Sequence, residues 1–503
     1  MTDLQVQRDA LLALSQRCKS FIPAIRALPA DTLCSIFQLC VDDAENRAFR
    51  AAHTLASVCR QWRSLALASP LLWARIFVKS TPTVQKTTSL RPGGDDWQVL
   101  DMLVKRTLGV PLSIDIDFTS DISLASVATV GQSASRWRAL TLKHYASQAQ
   151  ADITALGALN SCNILEELDV TLRRDIKGEI GGILEAFSQC PRLESLCLAD
   201  GCMFGPGYSN DVSDADESTR RPSINWTVNK CHFPLHQLTT LTLNINIRTE
   251  EVLDILRITT RLKSLEVYND YTRLSWHPEP DYDPIVLSEL TSLSCTHVHG
   301  FLLVIQCPAV ETLEIFEANT GSFLSFITNS RLPLRTLRIY AYAEDWKDLD
   351  PSPIIGTIPR LELGVDADEM DILCIPPSAS QGVPILAAKH ISLIVQKPID
   401  KLCNNTRSVN SILAFVKAYW QNPRRELKSF HLLTQPEKNT QTCCSDYRSE
   451  EFVRSTPFYQ AMEKFRKEGL EVLISWSSSS GMRSLVILRV AQFSTIALQI
   501  LNA

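Results

Sequence analysis

The residue types that most often carry metal or catalytic chemistry occur in this chain without the partners that such chemistry needs. His297 and His299 flank a single residue, which would place both on one side of a strand, but no Asp, Glu or Cys accompanies them at a metal-ligand spacing. The adjacent Cys443 and Cys444 lack a CxxC motif, and His431 lies twelve residues upstream. No P-loop, GxSxG, HExxH or strand-linked GxGxxG motif is present. We therefore predict no catalytic residue, no metal site and no cofactor.

A second set of residues has the chemistry of a protein-binding surface. Tyr268, Phe316 and Tyr340 hold equivalent places in a repeated pattern, and Arg338 lies two positions before the last of them. Aromatic residues with a nearby Arg commonly anchor protein interfaces. The same aromatic residues would also suit packing between neighbouring strands, and the sequence leaves both roles open. The predicted target-binding residues are Glu266, Tyr268, Ser294, Thr296, Glu314, Phe316, Arg338 and Tyr340.

The elements that must position these residues follow from the repeated pattern L-x-x-L-x-L, in which alternating aliphatic residues predict a short strand with one buried face. Most steps between successive copies are 20 to 28 residues, a spacing typical of leucine-rich repeats. Segments such as 250–258 have the 3.6-residue period of a helix that would return the chain to the next strand. The seven clearest copies are Leu165-Leu168-Val170, Leu193-Leu196-Leu198, Leu238-Leu241-Leu243, Leu262-Leu265-Val267, Leu290-Leu293-Cys295, Val310-Leu313-Ile315 and Leu334-Leu337-Ile339.

A strand–helix unit of this size cannot bury its apolar face alone, so neighbouring units must stack. We predict a solenoid with parallel strands on its concave side and, as the alternative, an irregular α/β domain. The step from Leu196 to Leu241 is longer than the others, because it contains a segment rich in Gly, Ser and Asp. This composition predicts a disordered insertion within residues 205–230.

The stretch 25–78 has a different pattern, that of three short helices. Pro29 suits the first turn of a helix, since its missing N–H would lack a partner there. Leu33, Ile36, Phe37 and Cys40 follow at helical spacing. A single second helix is predicted from an apolar stripe, and Ser69 with Pro70 predicts the cap and start of a third. The stripe comprises Leu55, Val58, Cys59, Trp62, Leu65 and Ala66.

This stretch resembles an F-box through Leu28-Pro29, the run Leu33, Ile36, Phe37, the segment VCRQWR at 58–63 and the segment SPLLW at 69–73. The resemblance implies a three-helix docking module that binds a small Skp-type adaptor, which in turn binds a cullin scaffold. The repeats that follow resemble the irregular leucine-rich repeats attached to F-boxes. By the same resemblance the adaptor-binding residues are Leu28, Pro29, Asp31, Leu33, Ile36 and Phe37. The residues of the module's core are Val58, Cys59, Trp62, Leu65, Pro70 and Trp73.

Before this module, Leu4, Leu11, Cys18 and Ile25 recur every seven residues. Two to three heptads predict a helix that packs on its own module, with a short coiled coil between two copies as the alternative.

Composition limits the other classes of protein to which the chain could belong. The chain has 503 residues, 45% of them apolar, and a net charge of -5, so it has no broad basic field that would favour nucleic acid or an anionic membrane. No apolar run approaches the roughly 20 residues of a membrane helix, and the polar residues after Met1 do not predict a signal peptide. The 15 cysteines are therefore expected to be reduced thiols in the cytoplasm or nucleus.

Together these patterns predict an α/β chain with an N-terminal three-helix F-box followed by a leucine-rich-repeat-like solenoid. The expected segments are a helical lead-in at 1–24, the F-box at 25–78, a linker at 79–97, the solenoid at 98–400, and C-terminal repeats with a cap at 401–503. The predicted function is non-catalytic: a substrate-recognition subunit of an SCF-type (Skp adaptor, cullin, RING) ubiquitin ligase. The alternative is a repeat scaffold outside the ubiquitin system that uses F-box-like helices for protein interaction.

Overall fold

The structure is a computed structural model, and it describes most of the helices and strands that the sequence predicts. The described residues are 5, 8, 9, 11, 12, 28–42, 48–79, 96–118, 124–145, 162–172, 184–200, 232–245, 247–268, 283–296, 299–316, 320–340, 358–365, 388–395, 402, 403, 405–420, 427–434, 454–477 and 483–488.

The chain divides into two compact units. Unit 1 comprises Met1–Thr171 and Ala186–Leu193, and unit 2 comprises Leu172–Glu185 and Glu194–Ala503. The predicted helical module and the first strands of the sheet belong to unit 1.

Unit 1 begins with helices and continues into parallel strands. Its helices are α1 (Ala30–Asp42), α2 (Ala48–Val58), α3 (Arg60–Ala68), α4 (Asp96–Arg106) and α5 (Leu124–Gly131), with a 3-10 turn at Pro70–Trp73. Its strands are β1 (Arg75–Lys79), β2 (Leu112–Asp117), β3 (Trp137–Tyr145) and β4 (Glu167–Leu172, all but the last residue). β1 pairs with β2 and β2 with β3, all parallel, so the first strand follows the helical module directly.

The prediction of one continuous second helix is wrong. The apolar stripe is divided between α2 and α3, which meet at Cys59, where φ of -158° and ψ of 173° are those of extended backbone. The Cys59 Sγ accepts a hydrogen bond from the Trp62 backbone N–H at 3.5 Å, and this residue caps α3. Helical spacing continues across the break, which is why the pattern alone did not reveal it.

Among its described residues, unit 2 contains eleven strands of the main sheet and a separate pair of short strands. The main strands are β5 (Ser195–Asp200), β6 (Thr240–Asn244), β7 (Ser264–Tyr268), β9 (Ser292–Thr296), β11 (Thr312–Phe316), β12 (Thr336–Tyr340), β13 (Arg360–Val365), β14 (His390–Val395), β15 (Ser429–Thr434), β16 (Glu471–Ser477) and β17 (Arg483–Leu488). The short pair is β8 (Ile285–Val286) with β10 (Ile305–Gln306). The described helices are α6 (Thr249–Ile258), α7 (His299–Val304), α8 (Thr320–Ser330), α9 (Thr406–Trp420) and α10 (Pro457–Lys467).

The strands of unit 2 pair in chain order, and equivalent residues of successive repeats lie side by side. Leu293 of β9, Leu313 of β11 and Leu337 of β12 are register partners, and all three are fully buried. Residues that alternate with these leucines, such as Glu314 and Phe316, are half-buried on the opposite face. The last two aliphatic residues of each of the seven clearest copies thus fall on β4, β5, β6, β7, β9, β11 and β12, and the predicted α/β architecture is confirmed.

The far end of unit 2 has two further features. β17 pairs with β16 in antiparallel fashion, which nothing in the repeated pattern predicts. Helix α10 begins at Pro457, and the Thr456 hydroxyl caps it by accepting a hydrogen bond from the Tyr459 N–H at 3.3 Å. Proline at the first helical turn removes a donor that has no intrahelical acceptor there.

Several predictions fall outside the described residues: the insertion within 205–230, nearly all of the linker at 79–97, His297, and Cys443 with Cys444. Within the residues that the structure describes, no helix is both long and apolar enough to span a bilayer.

The stacked leucine rows give a testable expectation for unit 2. Leu313→Ala removes a fully buried side chain whose neighbours on β9 and β12 are themselves leucines, so we expect unfolding to become easier by about 2–5 kcal/mol. Urea unfolding of the full chain measures this change. Thr312→Ala on the same strand alters an exposed side chain and should change the urea midpoint of unfolding little. Equal shifts of the midpoint for both variants would contradict the burial of Leu313.

Candidate functional site

The N-terminal helices of unit 1 leave apolar side chains on their surface. Along α1, Leu33, Phe37 and Val41 recur every fourth residue and are buried. Ile36 and Leu39 lie beside this stripe, with 38% and 68% of their surface exposed. Helix α1 is therefore apolar on a buried face and also on part of its exposed face.

The buried side of α1 packs against an aromatic core. The rings of Phe37 and Trp62 lie 4.8 Å apart, centroid to centroid, in a tilted arrangement. Trp73 is buried at the 3-10 turn, where its Nε1–H donates to the Ala66 carbonyl at 2.8 Å. The Arg106 guanidinium lies 5.1 Å from the Trp73 ring centroid, a cation–π distance. The first of these contacts joins α1 to α3, and the other two join the 3-10 turn to α3 and α4.

The predicted adaptor-binding residues thus separate into two groups. Pro29, Asp31 and Ile36 are exposed and Leu28 is half-buried, whereas Leu33 and Phe37 are buried in the module's own core. Sequence reasoning missed Leu39, although its place three residues after Ile36 would have shown that the two share a face.

The predicted core residues also differ among themselves. Trp73 is buried, and Trp62, Leu65 and Pro70 are half-buried, whereas Val58 and Cys59 are exposed. The exposure of the last two follows from the break between α2 and α3, because it turns the end of the predicted stripe outward. Ser69 precedes the 3-10 turn without a side-chain capping bond.

In unit 2 the predicted target-binding residues lie together on the polar face of the sheet, the face opposite the buried leucines. Two adjacent rows cross the strands there. The aromatic row joins Tyr268, Thr296, Phe316, Tyr340 and Gly364, which are successive register partners on β7, β9, β11, β12 and β13. The ionic row joins Glu266, Ser294, Glu314, Arg338 and Glu362 two residues earlier on the same strands.

Stacking organises the aromatic row. The rings of Phe316 and Tyr340 are nearly parallel, at 7°, with centroids 4.2 Å apart. Tyr268 lies 6.0 Å from Phe316, although β9 and its smaller Thr296 stand between their strands. The Tyr268 hydroxyl hydrogen-bonds to Ser294 Oγ at 3.1 Å, which ties the aromatic row to the ionic row. Burial is the main reason that the pKa of Tyr340 is raised to about 12.

A guanidinium organises the ionic row. Arg338 donates from Nε to Glu362 at 2.6 Å and from Nη1 to Glu314 at 2.9 Å. Arg360 donates to the second oxygen of Glu362 at 2.9 Å, which matters because that side chain is only 6% exposed. Burial lowers the pKa of Arg338, but the two carboxylates outweigh it and the net pKa is raised. Neither Glu362 nor Gly364 was among the residues predicted from sequence.

The described residues contain no group of three or more His, Cys, Asp or Glu side chains that could hold a metal ion. Buried thiols such as Cys295 and Cys307 have raised pKa values, chiefly through burial, which makes them poor nucleophiles.

Gly364 should be required by the aromatic row. A Cβ atom at this position would overlap Tyr340 Cδ1, so Gly364→Ala must displace the ring from its stack with Phe316. We expect a loss of about 1–3 kcal/mol in unfolding free energy and a reduced aromatic circular dichroism signal. Adding Tyr340→Ala should remove most of this extra cost in a double-mutant cycle, and additive losses would contradict the overlap.

The ionic row makes a separate prediction. Arg338→Gln leaves Glu314 and the buried Glu362 with fewer donors, so we expect a loss of about 1–3 kcal/mol in chemical unfolding. Arg335→Gln is the matched control, because Arg335 is 74% exposed and pairs with Glu311 at 3.4 Å. Exposed ion pairs contribute about 0–1 kcal/mol to stability. A larger loss for Arg335→Gln than for Arg338→Gln would contradict the prediction that the Arg338 contacts are the more stabilising ones.

Comparison with known proteins identifies the N-terminal module alone. No curated protein matches the chain. Residues 25–79 match the family model described as F-box-like, so this chain carries an F-box-like domain formed by α1, α2, α3, the 3-10 turn and β1.

Proposed function

We propose that the chain is a non-catalytic substrate-recognition subunit of an SCF-type ubiquitin ligase. The observation that carries the proposal is the F-box-like domain at residues 25–79, whose first helix exposes apolar side chains. F-box domains generally bind Skp-type adaptors, and an adaptor of this kind would join the chain to a cullin and a RING subunit.

The adaptor surface that we propose is centred on the exposed side of α1. Ile36 and Leu39 supply apolar area, and Pro29 and Asp31 lie at the exposed start of the helix. A partner helix that covers such a face gains the hydrophobic free energy that the small module cannot gain alone. Phe37 would act beneath this surface, because its ring packs on Trp62.

The target surface that we propose is the polar face of unit 2, which we take to be the concave side of the repeats. Its rows offer half-buried aromatic rings and charged groups held in fixed positions by Arg338. Rigid aromatic residues beside charged groups have the character of interface anchors.

In this proposal the chain positions the target protein and carries out no reaction itself. A target held on unit 2 while the adaptor holds α1 would have its lysines kept near the conjugating enzyme, which raises their effective concentration. F-box proteins are generally substrate receptors without catalytic residues of their own. The place of action that fits this role is the cytoplasm or the nucleus.

Adaptor binding is tested with substitutions on the exposed side of α1. We expect Ile36→Glu with Leu39→Glu to abolish recovery of a Skp-type adaptor by the tagged chain, because buried carboxylates would face the partner helix. These positions are preferable to Phe37→Ala, which would remove a buried ring and destabilise the module itself by about 3–5 kcal/mol. Affinity purification followed by mass spectrometry measures the recovery.

The control is Val286→Glu, which places the same charge on another exposed apolar residue, in unit 2. It should retain the adaptor. If the folded wild-type chain recovers no Skp-type adaptor, the ligase proposal fails and a repeat scaffold outside the ubiquitin system becomes the better reading.

A further inference from the structure

A part of the polar face around Tyr268 has buried oxygen atoms without a hydrogen-bond partner among the described residues. We call it the Tyr268 patch: Asn244, Glu266, Tyr268, Thr296 and Phe316. Asn244 directly follows Leu243, whose register partner is Val267, so it stands at the level of Tyr268 on the neighbouring strand. Thr296 is the register partner of Tyr268 on the other side.

Two buried oxygen atoms in this patch have no hydrogen-bond partner among the described residues: Asn244 Oδ1 and Thr296 Oγ1. Leaving such an atom unpaired costs about 1–3 kcal/mol, so a donor delivered by a ligand would be favoured there. The deficit is local, because Ser294 in the adjacent row is bonded to the Tyr268 hydroxyl.

The carboxylates of the ionic row also differ in whether a basic side chain pairs with them. Glu314 and Glu362 are held by arginines, whereas Glu266 accepts one long hydrogen bond, from Thr242 Oγ1 at 3.4 Å. No basic side chain among the described residues forms an ion pair with Glu266. Its charge and that of Glu314 add to burial in raising the pKa of Tyr268, so both act on the same part of the patch.

An uncompensated carboxylate, unpaired oxygen acceptors and aromatic rings in one place match the chemistry of a basic side chain. The methylene stem of Lys or Arg packs on aromatic rings, and the charged head donates to oxygen atoms. Arginine fits better than lysine, since its five donors in a planar fork can reach several acceptors at once. An anionic group would be repelled by Glu266, and an apolar side chain would leave the buried oxygen atoms unpaired.

We propose that the Tyr268 patch binds an arginine or lysine side chain of the target protein, with the cation at Glu266 and the stem beside Tyr268 and Phe316. This inference rests on the proposed function of unit 2 as a target-binding surface. It specifies the partner as a segment with a basic anchor residue.

The probe is a library of random peptides displayed on phage and selected on the purified full chain, with and without a Skp-type adaptor. We expect the wild-type chain to enrich peptides with Arg or Lys at a fixed position. Glu266→Gln should weaken a recovered peptide by about tenfold, the effect of losing one charge-assisted hydrogen bond at a half-buried site. Glu266→Lys should shift the enrichment at that position to Asp or Glu.

Glu311→Lys is the control, because it makes the same change of charge on the same sheet at a residue paired with Arg335. It should keep the wild-type preference. Thr296→Val is a second variant that removes an acceptor with little change in shape, and it should weaken the same peptide. Thermal unfolding confirms that each variant is folded.

Enrichment of peptides without a basic residue, or basic peptides that bind Glu266→Lys as well as wild type, would overturn the inference. A wild-type chain that retains its adaptor but enriches no peptide would also overturn it, while leaving the adaptor role intact. Peptide enrichment without adaptor recovery would instead refute the ligase proposal and support the patch.

Discussion

The structure of unit 2 depends on one constraint: a strand of five or six residues can bury its leucines only against identical neighbours in the same register. Leu293, Leu313 and Leu337 are buried because each lies beside the others on parallel strands. A shift of one residue on any strand would turn its leucines to the polar face. The leucine rows therefore fix the position of every other residue on these strands.

The same register builds the candidate target surface, since residues that recur beside the leucines must also form rows. Phe316 and Tyr340 stack because their strands are adjacent and in phase, and Arg338 reaches Glu314 and Glu362 for the same reason. Rows of large side chains need space, which Gly364 provides at the end of the aromatic row. The same repeat therefore packs the buried face of the sheet and sets the order of the side chains on its polar face.

The sequence predicted the strands, which depend on the periodicity of apolar residues. It missed the features that depend on contacts between neighbouring elements. Alternation around the leucines was enough to locate the parallel strands and to gather the residues of the two rows on one face. The break at Cys59 was missed because helical spacing continues across it, and β17 was missed because its pairing partner reverses direction. The roles of Glu362 and Gly364 depend on side chains of the adjacent strand, about 24 residues away in sequence, and no local pattern reports such contacts.

The two candidate surfaces differ in how their binding energy would arise. On α1, Leu33 and Phe37 are buried in the module's own core, whereas Ile36 and Leu39 remain as exposed apolar area that a partner could cover. Such a surface favours one constant partner, since apolar burial depends on shape more than on particular donors. On unit 2 the aromatic and ionic rows are tied together by hydrogen bonds, and Asn244 Oδ1 and Thr296 Oγ1 on the same polar face have no hydrogen-bond partner among the described residues. Selectivity is greatest where unpaired polar groups must be matched, because a wrong ligand leaves them unsatisfied. A chain with an apolar surface for a fixed adaptor and a polar, partly unsatisfied surface for a chosen target has the division of properties that a substrate receptor needs.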